Sequence, residues 1–340
     1  MSSTDTATLT EKLTAILTDP QDPQDPRSAP GERPSLATRT RYVLVIRRFE
    51  FMPVILTVAL APALLGAHSW GDFLSLNMLL AMLYAISGMQ IGNMTNALAD
   101  REQDALYKSR QSEAIYGLGV SRVVVHIAVS TVVCSALATI LAIRTGHWDL
   151  LLIAAVVGIL GFQYSVPPLK LKSAGAWQLP TLQLSLVFLP GLFVLRSYEE
   201  ELEWGSVVTL AGFALALVSL FVTSHAEDYL EDEQFGVRTY TVAWGLTRTM
   251  YIQSTMLFVG ALLMIGSVYA TFGFTWALVP LVVAWLLSQR LLFTVVRDVR
   301  GATMESAIEA LHKKSLIGPY HAALVGWMTV LLAVFVLIGR

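Results

Sequence analysis

Two stretches of the chain carry side chains spaced for chemistry on an anion. The first, NMTNALADREQD, runs from Asn93 to Asp104. On a helix, Asn93, Asn96, Asp100 and Asp104 stand 3, 4 and 4 residues apart and share one face. Stacked carboxylates repel one another unless a cation occupies that face. Amide and carboxylate oxygens suit a hard divalent ion such as Mg2+, which bridges carboxylates to phosphates. The second stretch, HAEDYLEDEQFG, begins at His225. Asp228 and Asp232 are again i and i+4, Glu227 and Glu231 form a parallel pair, and Gly236 breaks the helix. Two such ends on one side would hold metal ions between them; the plain alternative is a pair of solvated helix ends at a water boundary.

Between them lies YSVPPLKLKSAG, from Tyr164 to Gly175. Pro167 and Pro168 halt a helix there and display Tyr164, Lys170 and Lys172. Lysines in such a place also anchor membrane surfaces. Together with the acidic stretches, Lys108, Lys170 and Arg238 make a site for a diphosphate and its metal ions.

The elements that must position these groups are set by composition. Only 14% of the chain is charged, against about a quarter in soluble domains, while 55% is hydrophobic and the mean hydropathy is +0.60. That leaves too little polar surface to clothe a water-soluble globule. A net charge of −2 gives no basic face, so no nucleic-acid partner is expected. The single cysteine, Cys134, lies in an apolar run and reads as a small buried hydrophobe.

Residues 1–48 read as a separate, largely disordered cytosolic tail. Thr4 to Leu17 has the makings of a short helix, but DPQDPQDP follows from Asp19 and its X-Pro bonds oppose helix. No signal-peptide pattern is present in it. Residues 49–340 then hold nine apolar stretches, most close to membrane-spanning length. They run from Phe49 to Ala67, Phe73 to Ile91, Val120 to Ile143, Leu150 to Phe162, Trp177 to Leu195, Ser206 to Thr223, Met250 to Ala270, Trp276 to Leu291 and Tyr320 to Gly339. With alternating sides, all but three of the 23 Lys and Arg fall on the tail's side; Arg144, Arg196 and Arg340 do not. The positive-inside rule then places the tail and the long acidic loops in the cytosol and the carboxyl end outside.

On these motifs the chain from residue 49 onward resembles the UbiA superfamily of intramembrane prenyltransferases. Against that family's NDxxDxxxD, Asn96 to Asp104 reads NALADREQD, matching at Asn96, Asp100 and Asp104, with Ala97 where the family has its second residue, an aspartate. Lys108 stands where members commonly carry a lysine, but the Arg-Pro that usually follows is absent. Tyr164 and Lys170 match the family's YxxxK-type loop, and Asp228, Asp232, Gly236, Thr239 and Gly245 match its second acidic signature. The resemblance implies an all-α integral membrane fold of nine transmembrane helices around a central cavity with a cytosolic cap. It implies that Asp100, Asp104, Asp228 and Asp232, assisted by Asn96, coordinate Mg2+ on the diphosphate of an isoprenyl donor. Lys108, Tyr164 and Lys170 would hold the diphosphate oxygens. Metal ions and lysines stabilise the charge that develops as the allylic C–O bond breaks, an apolar interior shields the cation from water, and an aromatic or other lipophilic acceptor attacks it and loses a proton.

Two other readings compete. A terpene cyclase of the same fold would capture the cation with the donor's own double bond; Ala97 and the missing Arg-Pro make that departure conceivable. A transporter would use the charged helix ends as an ion path, but these charges cluster on one side, away from the bilayer midplane. Among lesser features, Glu50 beside Arg47 and Arg48 is an acceptor-site or proton-handling candidate that can equally pair at the interface. His225 reads as interfacial, Gln90 and Gln183 as acceptor or interhelical contacts, and His312, Lys313 and Lys314 as an anchoring patch. Trp148, Trp177, Trp204 and Trp276 fall at span ends, where an aromatic belt belongs.

Overall fold

The computed structural model describes residues 8–18, 34–107, 109–198, 202–314 and 317–340, and among them every regular element is a helix. In chain order the main ones are α1 (Leu9–Leu17), α2 (Leu36–Ile46), α3 (Met52–Gly66), α4 (Leu76–Tyr107), α5 (Ser109–Leu118), α6 (Val120–Thr145) and α7 (Asp149–Ser165). There follow α8 (Gly175–Arg196), α9 (Trp204–Phe221), α10 (Tyr229–Gln234), α11 (Tyr240–Trp244), α12 (Leu246–Phe272), α13 (Leu278–Val299), α14 (Met304–His312) and α15 (Ile317–Gly339).

Seven helical segments among the described residues are long and apolar enough to cross a membrane: those containing α3, α6, α8, α9, α12, α13 and α15. Two of the nine expected stretches fall outside that set for different reasons. The fourth stretch is α7, apolar but only 17 residues long. The second is the first half of α4, a 32-residue helix in which Asn77, Gln90 and Asn93 interrupt the apolar run.

Burial sorts the helices into inner and outer ones. α3, α8 and α9 are the most enclosed, whereas α6 and α12 are the least buried. Val125, Val129, Val132, Val133, Ile140 and Ile143 of α6 lie bare, a face suited to lipid. The largest apolar cluster joins α3, α8, α9, α12, α13 and α15; a second joins α3, α4, α6, the start of α7 and α8. The tightest crossing is α9 on α12. A Cβ on Gly212 would lie 2.6 Å from Gly260 O and 2.6 Å from Met264 N, and one on Gly260 would lie 2.6 Å from Gly212 O. Glycine is required there because the two backbones touch.

α8 is not a uniform helix. Residues Gln183–Phe188 form a π turn, and Pro190 just beyond has no N–H to return to the carbonyl four residues back. The widened turn lets three successive residues, Ser185, Leu186 and Val187, face one cavity, which a regular helix would not.

The three arginines that escape the charge tally share one end of the molecule. Arg144 Nε donates to Asn77 Oδ1 (2.7 Å). Arg196 Nε donates to Asp149 Oδ2 (2.6 Å), with His147 Nδ1 2.8 Å from Arg196 O. Arg340 donates to Ala67 O (2.8 Å) and Glu203 Oε2 (2.7 Å) and lies over the Phe272 ring. Trp148, Trp204 and Trp276 are exposed at this end and Trp177 at the other.

Candidate active site

The second half of α4 keeps its helix past the apolar stretch. Met89, Gly92, Asn93, Asn96, Asp100, Gln103 and Asp104 then line one cavity of about 340 Å³. The second acidic stretch reaches the same cavity by a different route from the continuous helix expected of it. α9 passes into a 3-10 stretch, Val222–Ala226, and Asp228 stands at the N-cap of the short α10. The backbone bond Asp232 N to Asp228 O (2.8 Å) still keeps the pair on one face. Gly236 (φ +65) then reverses the chain, so that Val237 N donates to Asp232 O (2.7 Å). His225, Glu227, Asp228, Asp232 and Thr239 all line the cavity. Its depth is apolar, walled by Val54, Ile55 and Val58 of α3, Leu182 and Leu186 of α8 and Leu217 and Val218 of α9.

Hydrogen bonds link the elements around this cavity. Ser165 Oγ, at the end of α7, donates to Asn96 Oδ1 (2.9 Å). Gln178 Nε2 donates to the Tyr164 hydroxyl (2.8 Å), Tyr240 N donates to Gln178 Oε1 (2.9 Å), and Gln253 Nε2 donates to the Tyr240 hydroxyl (2.9 Å). Burial raises the pKa of the Tyr240 phenol, so it stays neutral. Tyr164 lines the cavity with its hydroxyl held in that chain.

The loop after α7 divides its two lysines. Lys170 has a left-handed backbone (φ +40) and does not line the cavity. The 3-10 turn Leu171–Ser173 that follows carries Lys172 inward, where its Nζ meets Asp100 Oδ1 at 2.5 Å. Burial, and next the charge of Lys172, hold the Lys170 pKa below the usual lysine value. Arg238 is exposed and outside the cavity wall, its carbonyl accepting from Gly175 N (2.8 Å). Lys108 lies outside the described residues.

Arg48 is a cavity cation that the sequence did not single out. One residue before the first span, it takes a left-handed φ of +52 and turns into the mouth of the cavity, where Nη2 donates to Gln111 Oε1 (2.8 Å). Burial lowers its pKa, opposed by Asp104, Glu50, Asp228 and Asp100. Its signal was an arginine abutting an apolar stretch, which reads first as a topology marker. Gln178 and Ser165 carried no signal beyond being polar near a span end.

Other candidates find structural partners. Glu50 is exposed and off the cavity. Gln90 accepts from Arg47 Nη1 (2.6 Å), an interhelical bond. The expected basic patch is neutralised within the fold: His312 Nδ1 lies 3.3 Å from Glu227 Oε2, Lys313 pairs with Glu309 and Lys314 with Asp298. Ala97 is buried among Ile46, Met94, Ile115 and Leu118. A longer, charged side chain there would enter that apolar cluster.

The donor set on the cavity consists of amide and carboxylate oxygens from two segments, with cations beside them. Among the described residues, no three acidic, His or Cys side chains converge into a cage of their own. Oxygen donors of this kind suit Mg2+, which binds through one or two carboxylates together with substrate phosphates. Asp100, Asp104, Asp228 and Asp232 are the residues that would share it.

The model of the UbiA prenyltransferase family matches residues 54–308. The chain belongs to the UbiA prenyltransferase family. Solved structures agree with the UbiA assignment. A UbiA homologue from Archaeoglobus fulgidus, bound to GPP and Mg2+, is 16% identical with a TM-score of 0.61, covering 84% of this chain and 99% of that one. A structure of digeranylgeranylglyceryl phosphate synthase is 17% identical with a TM-score of 0.59, covering 87% and 99%. An apo UbiA homologue from Aeropyrum pernix K1 is 16% identical with a TM-score of 0.57, covering 83% and 98%. At such identities the likeness establishes a shared fold. No curated protein sequence matches the chain.

Proposed function

We propose that this UbiA-family protein transfers an isoprenyl group from a prenyl diphosphate to an aromatic or quinone-precursor acceptor within the membrane. The observation that carries the reading is the one cavity on which Asn96, Asp100 and Asp104 meet Asp228 and Asp232 above an apolar depth. In this reading α7 and the first half of α4 join the seven apolar segments as spans, and the acidic end faces the cytosol. The solved relative that holds GPP and Mg2+ supports the donor and the metal.

When bound, Mg2+ would supply the positive charge that makes a diphosphate a competent leaving group. The chain's own residues do the rest. Asp100, Asp104, Asp228 and Asp232, with Asn96, hold the metal ions at the polar mouth. Lys172 and Arg48 face the same mouth and stabilise negative charge on the departing diphosphate oxygens. Lys170 and Arg238 stand as outer cations on that side, and Lys108, as the family resemblance implies, would bind the diphosphate as well. Tyr164, fixed by Gln178, presents its phenol at the boundary between polar mouth and apolar depth. Val54, Val58, Leu186, Leu217 and Phe221 accommodate the prenyl chain and keep water from the allylic carbon.

Purified protein in detergent with Mg2+ and prenyl diphosphates, GPP among them, is assayed for diphosphate release with and without phenolic acceptors, followed by mass analysis. Acceptor-dependent release with a product heavier by the prenyl group supports transfer. A hydrocarbon or terpene alcohol formed without acceptor establishes a cyclase instead. Full turnover by Asp100→Ala and Asp228→Ala overturns the site assignment.

A further inference from the structure

Arg101 sits inside the first acidic motif, between Asp100 and Asp104, and the reaction as derived above gives it no task. Its side chain is buried, at 3% exposure, yet it forms no ion pair with a carboxylate among the described residues. Its guanidinium is spent on backbone. Nη2 donates to Ala15 O (2.6 Å) and Thr18 O (3.0 Å), and Nη1 to Ile16 O (2.9 Å) and to Leu98 O (3.0 Å) of its own helix. The first three acceptors are carbonyls at the end of α1 that have no partner within that helix. A cation at a helix carboxyl end is also favoured by the helix dipole.

The other end of α1 is closed by a capping box, with Glu11 N donating to Thr8 Oγ1 and Thr8 N to Glu11 Oε2. Ile16 packs on the cluster formed by α2, α4, α5 and α6.

The two partners need each other. A nine-residue helix is marginal in water by itself, and a buried guanidinium without acceptors is costly. Arg101 is flanked on α4 by the two aspartates, so fixing its direction fixes the rotation of the last turns of α4. We infer that Arg101 is a positioning residue: by capping α1 it clamps the end of α4 in the orientation that aims Asp100 and Asp104 into the cavity. The consequence for Mg2+ rests on the function proposed above; the clamp itself is a property of the fold.

The test uses the full chain with Arg101→Gln, with Thr14→Pro, which breaks α1 at an exposed position, and with both. Hydrogen exchange at residues 98–106 is measured alongside the Mg2+ dependence of diphosphate release. Each single variant is expected to speed exchange and to raise the half-saturating Mg2+ about five- to tenfold, with kcat nearly unchanged. The double variant should be no worse than Arg101→Gln, since both changes release the same clamp. Unchanged exchange and Mg2+ dependence in Thr14→Pro overturns the inference, as does additivity in the double variant, which would give Arg101 a task of its own. If the parent protein turns over no prenyl diphosphate, the proposed function fails and exchange decides the clamp alone: faster in both variants supports it, unchanged refutes it.

Discussion

Replacing Lys172 with Met removes the ammonium 2.5 Å from Asp100 Oδ1 while keeping an unbranched side chain of similar reach. The side chains of Lys172 and Asp100 are 9% and 13% exposed, so the pair belongs with buried ion pairs rather than with surface pairs worth about 0–1 kcal/mol. Removing one partner of a buried pair costs about 3–5 kcal/mol, because the remaining charge is left without compensation. Asp100 borders a cavity, which places the cost near the lower end, about 3 kcal/mol. For a chain of this length that corresponds to a fall in Tm of about 4 °C. Mg2+ would supply the charge the lysine gave, so most of the deficit should return when the metal is added. The assay is thermal unfolding of parent and variant in detergent, in EDTA and in saturating Mg2+. Equal Tm values in EDTA would refute the buried pair, and a deficit indifferent to Mg2+ would refute Asp100 as a metal ligand.

Three further outcomes follow from particular contacts. Gly212→Ala places a Cβ 2.6 Å from the backbone of α12 and should cost about 2–3 kcal/mol or prevent folding; a parent-like Tm would mean the helices do not cross so closely. Ala97→Asp restores the residue usual in the family but buries a carboxylate beside Ile46 and Leu118, so it should destabilise by about 3 kcal/mol or more. A stable Ala97→Asp protein with stronger Mg2+ dependence would contradict that placement. Gly161 borders the cavity with nothing within 4 Å of its absent Cβ, so Gly161→Leu should leave Tm unchanged and shift turnover toward shorter donors, measured by competition between two prenyl diphosphates.

The acidic stripe of α4 was legible because helical spacing alone puts Asn93, Asn96, Asp100 and Asp104 on one face, and all four line the cavity. The apolar helices were legible from hydropathy. Periodicity could not say which lysine of LKLK faces inward. That depends on a left-handed residue followed by a 3-10 turn, and the outcome is Lys172 on Asp100 rather than Lys170. Nor could it foresee that α9 gives way to a 3-10 stretch before Asp228, since the same residues suit a continuing helix. Arg48 and Arg101 looked like ordinary boundary charges because their partners, Gln111 and the carbonyls of α1, are distant in sequence.

Arg144, Arg196 and Arg340 make the molecule mechanically lopsided. They stitch the connections at one end to each other, using partners that lie off the cavity. At the acidic end the stitches are Lys172 to Asp100, Ser165 to Asn96 and Gln178 to Tyr164, groups that an arriving diphosphate and its metal would compete for. The bundle is thus a basket with a sewn base and a rim laced by the cargo's own contacts. If the proposed function holds, loading would unlace the rim and leave the base taut, so hydrogen exchange near Glu203 and Asp149 should not change on ligand binding, while that near Asn96 and Ser165 should.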